Sequence, residues 1–388
     1  MSGLLRALGP ADLAQSHELG VLAFGGDRAA PPPTSPRPGR HSVGVLDGDR
    51  LLAKASVVSY EQWWGGRRVP MGGVAGVAVH PEARGRGLAR RLLTALLAQM
   101  AEAGQGISVL FPTAVGIYRP HGWEGVGGLA QTRLATRDLL GGGDPGPVRV
   151  RTAGPDDLPA VQRVWDAFAA AGNGQLSRSG PAYPRGAHQV LESDVVALAV
   201  DGGQVLGYAA YDRGHGYGAE AALTVREFVA HTPQAHAALL RSLGSWDSVA
   251  GTVLWPGDTR ELALHLHRAV PPPHRVQPWM LRVVDAPTAV AARGWPEGVH
   301  VDNAFVLLDP DVPAHARAWR CTLAGGRGTL QPVPATSDLP RLHVRGLALL
   351  WSGAAGTAAV RRAGLLDGAL PGIDAACAGA APALLDYF

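Results

Sequence analysis

Val77-Ala78-Val79-His80-Pro81-Glu82-Ala83-Arg84-Gly85-Arg86-Gly87-Leu88-Ala89 runs from a short β-branched strand, through a proline turn, into a glycine- and arginine-rich helix entry. With Gly76 in front, the first three residues read as a strand. Arg84-Gly85-Arg86-Gly87-Leu88-Ala89 is expected to open a long helix. Leu88, Leu92, Leu93, Leu96, Leu97 and Met100 recur at helical spacing, with Arg90, Arg91 and Gln99 between them. Gly104 reads as the stop. A strand that turns into a helix in this way aims several unpaired backbone N–H groups at one point, and the helix dipole adds partial positive charge there. A pyrophosphate is the natural ligand. Gly85 and Gly87 let an anion approach the backbone, and Arg84 and Arg86 add charge-assisted hydrogen bonds. Arginines at a helix N-terminus are unfavourable without such an anion. The spacing is neither the dinucleotide fingerprint nor a P-loop.

The chain around this stretch has 388 residues, which suits two or three domains better than one. Its apolar fraction of 46% and charged fraction of 17% are those of a globular protein. The net charge of +3 fits an anionic ligand, but no Lys/Arg block is long enough for a nucleic-acid partner. Two cysteines, Cys321 and Cys377, without a CxxC or a neighbouring histidine pair, argue against a disulfide framework and against a metal site. Cytoplasm is the natural compartment. The start, from Met1 to Pro10, has too short an apolar run for a secretion signal, and no apolar stretch is long enough to span a bilayer.

The sequence echoes itself. Arg6-Ala7-Leu8-Gly9-Pro10-Ala11-Asp12-Leu13 returns as Arg151-Thr152-Ala153-Gly154-Pro155-Asp156-Asp157-Leu158. Both predict a strand end, a Gly-Pro turn and a helix start. Asp47-Gly48-Asp49-Arg50-Leu51-Leu52-Ala53 is echoed by Asp201-Gly202-Gly203-Gln204-Val205-Leu206-Gly207, each a hairpin turn opening a strand. Two echoes in one order indicate a duplicated domain. Gly141-Gly142-Gly143-Asp144-Pro145-Gly146-Pro147 separates the copies, and Val270-Pro271-Pro272-Pro273-His274 breaks the chain again. Residues 31–38 read as a proline-rich surface loop. From about residue 286 a third segment mixes short strands such as 304–308 with helical runs such as 354–363.

The strand–turn–helix resembles the GNAT acetyltransferases, whose pattern Arg/Gln-x-x-Gly-x-Gly/Ala is met by Arg84, Gly87 and Ala89. The resemblance implies acetyl-CoA as co-substrate and no metal. It implies that backbone groups of Val77, Ala78 and Val79 pair with the pantetheine arm. Arg84, Gly85, Arg86, Gly87, Leu88 and Ala89 would hold the pyrophosphate, with Thr113 also at the cofactor. The matching stretch of the second copy, residues 223–236, keeps a strand and a helix but neither the glycines nor the paired arginines. It reads as a GNAT-like fold without a CoA site.

The whole plan is similar to the Eis (enhanced intracellular survival) family. The similarity is sharpest at residues 72–93, at Gly116-Ile117-Tyr118-Arg119-Pro120-His121-Gly122-Trp123, at 279–287 with 291–295, and at Asp386-Tyr387-Phe388. It implies an α/β (α+β) chain of two tandem GNAT-like domains, each a mixed sheet flanked by helices, then a sterol-carrier-like α+β domain. The divisions are 1–140 (catalytic), 148–284 (degenerate) and 285–388. By this resemblance Tyr118 is the general acid that protonates the leaving thiolate, and the terminal carboxylate, on Phe388, is or orients the general base. A phenol and a carboxylate suit those proton transfers. His80 and His121 lie near enough in sequence to relay protons. Phe24, Asp27, Trp63, Trp64, Trp123, Asp386 and Tyr387 are candidate pocket residues. Aminoglycoside-acetylating members carry a Glu where Tyr387 stands, and an acid nearer the early Phe than Asp27 is. The family implies a primary amine of a small molecule, aminoglycoside-like or another natural product, as acceptor; these departures suit a smaller or more hydrophobic amine better than a polycation. A longer acyl donor, a lysine or peptide amine, or non-catalytic CoA or lipid binding are the alternatives. A homohexamer follows by resemblance alone.

Overall fold

The computed structural model describes residues 3–388; Met1 and Ser2 lie outside it. Twelve strands form one sheet. In chain order they are β1 (Leu4–Ala7), β2 (Arg40–Asp47), β3 (Arg50–Trp64), β4 (Arg67–Val79), β5 (Ile107–Leu110), β6 (Glu124–Ala135), β7 (Arg149–Thr152), β8 (Val195–Asp201), β9 (Gln204–Arg213), β10 (Ala222–Ala230), β11 (Thr252–Pro256) and β12 (Arg275–Val283). A second sheet holds β13 (Val301–Leu308), β14 (Ala318–Ala324), β15 (Arg327–Pro332), β16 (Arg341–His343) and β17 (Leu366–Asp367). The helices that matter below are α1 (Leu13–Phe24), α2 (Leu88–Glu102), α3 (Val115–Tyr118), α4 (Leu158–Ala171), α5 (Pro233–Gly244), α6 (Arg260–Ala263), α7 (Ala286–Ala292) and α8 (Val344–Ser352).

The echoes mark equivalent places in two copies. Asp12 accepts from the Gly9 N–H at 2.8 Å and takes a two-pronged bond from Arg6 at 2.7 and 2.8 Å. Asp157 does the same with Gly154 and Arg151, at 2.8 Å and at 2.6 and 2.7 Å. The motif closes the helix entry, which is why it outlasts the divergence around it. Asp47 pairs with Arg50 across the β2–β3 turn, and Asp201 with Gln204 across the β8–β9 turn.

The sheet order is β1-β2-β3-β4-β5-β12-β6-β11-β10-β9-β8-β7. The last strand of each copy therefore sits in the other copy's half: β12 pairs with β5, and β6 with β11. The exchange places the middle of the molecule under joint control of both copies.

Burial follows the apolar spacing. Leu88, Leu92, Leu93, Leu96, Leu97 and Met100 of α2 are all buried against β2, β3 and β4, each contributing roughly 2 kcal/mol. α2 opens at Leu88, later than the sequence suggests, because residues 84–87 form a loop in which Gly85 and Gly87 have φ of +74° and +71°. Gly104, with φ of +71°, follows the helix end. One continuous core joins Trp64, Met71, Val109, Trp279 and Leu281 of the large sheet to Phe305, Leu347 and Trp351 of the third domain. Within that domain the expected helical run 354–363 is shorter than its sequence suggests: α8 ends at Ser352, before the left-handed Gly353, and helix resumes only over Thr357–Arg362. Among the described residues no helix is long and apolar enough to cross a membrane, and no cluster of His, Cys, Asp and Glu has metal-site character.

Candidate active site

The two longest strands set up the site. β3 and β4 form a hairpin, and β4 pairs in parallel with β5 only where Met71, Gly72 and Gly73 face Ile107, Ser108 and Val109. Beyond Gly73 the pair forks. β4 continues to Val79 against β3 alone, with a bulge opposite Lys54 to Ser56 and a φ of +62° at Gly76. Val77, Ala78 and Val79 thus keep one strand edge without a partner strand, as an extended amide-containing ligand requires.

The expected anion site lies at the end of that edge. Pro81–Ala83 form a single 3-10 turn, and α2 follows Gly87, which supplies no side-chain cap. A Cβ on Gly85 or Gly87 would meet nothing within 4 Å, so the loop faces open space. Arg84 and Arg86 are exposed on it. The left-handed glycines, the uncapped helix start and two guanidinium groups fit a pyrophosphate. Thr113 is exposed after β5, just ahead of α3.

Tyr118 ends α3, is 6% exposed and lies edge-on to Trp123 at 6.3 Å. Burial raises its pKa, which keeps the phenol protonated. Phe388 sits at the fork itself. Its ring lies 4.9 Å from that of Tyr60 and 5.6 Å from that of Phe111. Burial first, then the Asp386 charge, push Tyr60 up to about 12.

Other expected residues scatter. Trp64 and Trp123 are wholly buried, Trp64 tilted against Trp351 at 4.8 Å, so both are core residues and no pocket wall. Trp63 is half-buried under Arg68 and packs with the α4 cluster. Phe24 is 51% exposed at the end of α1, and Asp27 is exposed and caps its own turn at Ala29. Tyr387 is 67% exposed, its ring 4.6 Å from Phe111. Asp386 is held by Arg178 at 3.0 Å. His121 is engaged across a domain boundary: its Nδ1 meets Asp311 of the third domain at 3.0 Å. His80 is half-buried between Arg50 and Glu82.

Several groups gave no sequence signal. Arg40 reaches across β3 to the bulge, its Nη2 3.1 Å from where a Cβ on Gly76 would stand. Burial, then the charge of Arg37, lower its pKa. Among the described residues no carboxylate pairs with it. Lys54, buried beside it, bonds Ser16 at the backbone carbonyl and at Oγ, and burial, then Arg40, lower it to about 8. A cavity of about 450 Å³ bordered by Tyr387 is lined by Arg178, Arg226 and Arg275 against Glu227 and Asp386.

The second copy repeats the fork without the anion site. β10 pairs with β11 in parallel only at Ala222, Leu223 and Thr224, then runs on to Ala230. The next helix, α5, is already capped: the Thr232 side chain accepts from Ala235 N–H, and Pro233 follows.

Residues 5–126 match the family described as Acetyltransferase (GNAT) domain. Residues 174–283 match a second family of that description, and residues 286–385 match the Sterol carrier protein domain. A solved GCN5-related N-acetyltransferase from Kribbella flavida is 33% identical, with a TM-score of 0.86 over 100% of this chain and 99% of that one. A GCN5-related N-acetyltransferase from Anabaena variabilis is 20% identical, with a TM-score of 0.87 over 99% of this chain and 100% of that one. Eis1 from Mycobacterium abscessus is 21% identical, with a TM-score of 0.77 over 99% of this chain and 100% of that one. The last two share the fold. No protein of curated function matches the chain.

Proposed function

The chain belongs to the GCN5-related N-acetyltransferase (GNAT) family, with an Eis-like arrangement of domains, and from that premise we propose that this acyltransferase moves an acetyl group from acetyl-CoA to a primary amine of a small molecule. The observation that carries the reading is the β4–β5 fork: an unpartnered strand edge ends in an uncapped, glycine-loosened helix start, and the chain terminus is seated at its vertex.

Val77, Ala78 and Val79 would hold the pantetheine amides, and residues 84–89 the pyrophosphate. Acetyl-CoA supplies the activated thioester. The terminal carboxylate of Phe388 accepts the proton of the amine, directly or through water, as the amine attacks. Tyr118, kept protonated by burial, donates its proton to the departing thiolate. No cysteine lies near the fork, because Cys321 and Cys377 are buried in the third domain's core; attack is direct, without an acyl-enzyme.

Arg40 and Lys54 put two cations beside the β4 bulge, and the acid of Asp386 is paired with Arg178. A polycationic aminoglycoside meets repulsion there, which favours a smaller or less charged amine. Arg40 supports a second reading: a reactant bearing a carboxylate, on the acyl chain or on the acceptor. Thiol release over an amine panel, with acetyl-, propionyl- and malonyl-CoA as donors, tests both. Fastest turnover of polycations sinks the first; no gain for any carboxylate-bearing reactant sinks the second. Extra residues added after Phe388 should abolish turnover without weakening acetyl-CoA binding. A cytoplasmic homohexamer is the assembly proposed from the family resemblance; light scattering on the purified protein tests its size.

A further inference from the structure

A chain terminus ordinarily frays unless something ties it down. Here the tail is tied to the second copy. Ala383 N–H donates to the Asn173 carbonyl at 2.9 Å, Asn173 Nδ2 donates to the Ala380 carbonyl at 2.9 Å, and Leu385 N–H donates to Gln175 Oε1 at 3.1 Å. Residues 174–177 are in turn pinned to the far end of β3: Gly174 N–H and Trp63 N–H bond Trp63 and Gln175 carbonyls at 2.8 Å, and Ser177 N–H bonds Glu61 at 2.9 Å. Two glycines clear the path. A Cβ on Gly174 would stand 2.7 Å from the Ala383 carbonyl, and one on Gly73 would stand 2.6 Å from the Phe388 ring.

At the end of this track lies Arg178. We propose that Arg178 is the positioning residue for the reaction: by clamping Asp386 against Glu227 it fixes the terminal carboxylate at the β4–β5 fork. The inference rests on the reading that Phe388 carries the proton acceptor. One edge of the guanidinium, Nε and Nη2, meets Asp386 Oδ1 at 3.0 Å each. Its other edge, Nη1 and Nη2, meets Glu227 at 2.9 and 2.6 Å. Its flat face lies over Trp165 of α4 at 3.5 Å. The Tyr208 hydroxyl donates to Glu227 at 2.6 Å. Arg178 is 4% exposed, and it is the one non-glycine among the described residues with positive φ, +53°. Such a conformation persists only where surroundings impose it. A buried ion set adds little net stability over apolar packing, but the planar fork of an arginine fixes the direction of both partners.

Two residues span at most about 7 Å, so a fixed Asp386 leaves Phe388 little freedom. A second link runs through rings: Tyr183 lies 5.8 Å from Tyr60, which packs on Phe388 at 4.9 Å. Glu227 follows the bulge of β10, just past its fork, as Gly76 marks the bulge of β4 past its own. The second copy, without a nucleotide site, has turned its equivalent fork into the anchor for the first copy's base.

Replacing Arg178 leaves two buried carboxylates unpaired and risks the fold, so the test acts on the tail. Asp386→Ala keeps the Arg178–Glu227 pair. Misplacement by about 1 Å costs roughly 10²-fold in rate, so Asp386→Ala should lower kcat by about that factor with KM for acetyl-CoA unchanged. Asp386→Asn should lie between. Carboxypeptidase should release Phe388 from Asp386→Ala faster than from the parent protein. In a protein ending at Tyr387, Asp386→Ala should cost nothing further. An equal loss in the full and shortened proteins makes the residue merely structural and overturns the clamp. Full activity of Asp386→Ala beside an inactive shortened protein overturns the clamp and leaves the base reading standing. Full activity of the shortened protein overturns the base reading and the clamp with it.

Discussion

Tyr118 and Phe388, far apart in the chain, carry complementary proton transfers in the mechanism proposed above. Burial favours the neutral phenol, which suits a proton donor and would handicap a base. Removing only the hydroxyl, in Tyr118→Phe, should therefore lower kcat by roughly 10²- to 10⁴-fold, with KM for acetyl-CoA unchanged in a thiol-release assay. A variant with parental kcat would remove Tyr118 from the reaction. At this scale sequence and structure part company on the pocket. Trp64 and Trp123 look like cleft residues in one dimension because aromatic side chains suit both cores and clefts; the fold spends both on packing. Arg178 and Arg40 have the opposite history. Neither stands in a motif, and only contacts with residues distant in sequence give them roles.

At the scale of elements, the copies differ where function differs and agree where local physics compels them. The entries to α1 and α4 keep the same Arg–Asp–Gly closure after their sequences have diverged. Loss of such a cap costs about 1 kcal/mol, so Asp12→Ala and Asp157→Ala should each lower the melting temperature by a few degrees and by similar amounts in calorimetry. Unequal effects would mean the two closures are not equivalent. The Asp157 carboxyl is pulled to about 2, first by Arg151 and then by the Gly154 N–H. A depressed carboxylate stabilises above its unfolded pKa and stops doing so as pH falls through its folded value. The difference between Asp157→Ala and parent should therefore vanish as pH drops from 4 to 2, whereas α2 and α5 part at their first turn: one exposes bare N–H groups and glycine, the other is closed by Thr232 and Pro233.

Over the whole molecule, exchange of β6 and β12 makes the two GNAT halves one folding unit. A protein cut to residues 1–140 or to 148–284 exposes the edge that its missing strand covered, and each should fail to give a dispersed amide NMR spectrum alone. A well-dispersed spectrum of either would show that the exchange is dispensable. The third domain is docked by apolar packing and by a buried polar node. Arg282 meets Asp309 at 2.8 and 2.9 Å, and His315 meets Asp309 at 3.2 Å and Asp285 at 3.7 Å. His315 foremost, against the opposing effect of burial and with the help of the Thr288 N–H, pulls Asp285 to about 2. Burial opposes protonation of His315, but its two carboxylate partners outweigh it and raise its pKa. Asp285 thus stabilises docking above about pH 4 and stops as pH falls toward 2. His315 contributes fully below about 6.5 and stops as pH rises through its folded value. Unfolding midpoints followed by tryptophan fluorescence, sensitive to the Trp64–Trp351 contact, should fall on both sides of that window.

The residues by themselves determined what depends on near neighbours. Strand, turn, glycines and leucine spacing at 77–100 specify a fork-side strand and an anion-ready helix, and the two echoes specify duplication, because turns, caps and helical faces are set within a few residues. Tertiary structure alone decided what depends on residues brought from afar. It exchanged the last strands, buried two of the expected cleft tryptophans, and seated the terminus at the fork under a second-copy arginine. Long-range pairing and buried charge carry no periodic signature, since their partners are chosen by closure of the core and not by spacing along the chain.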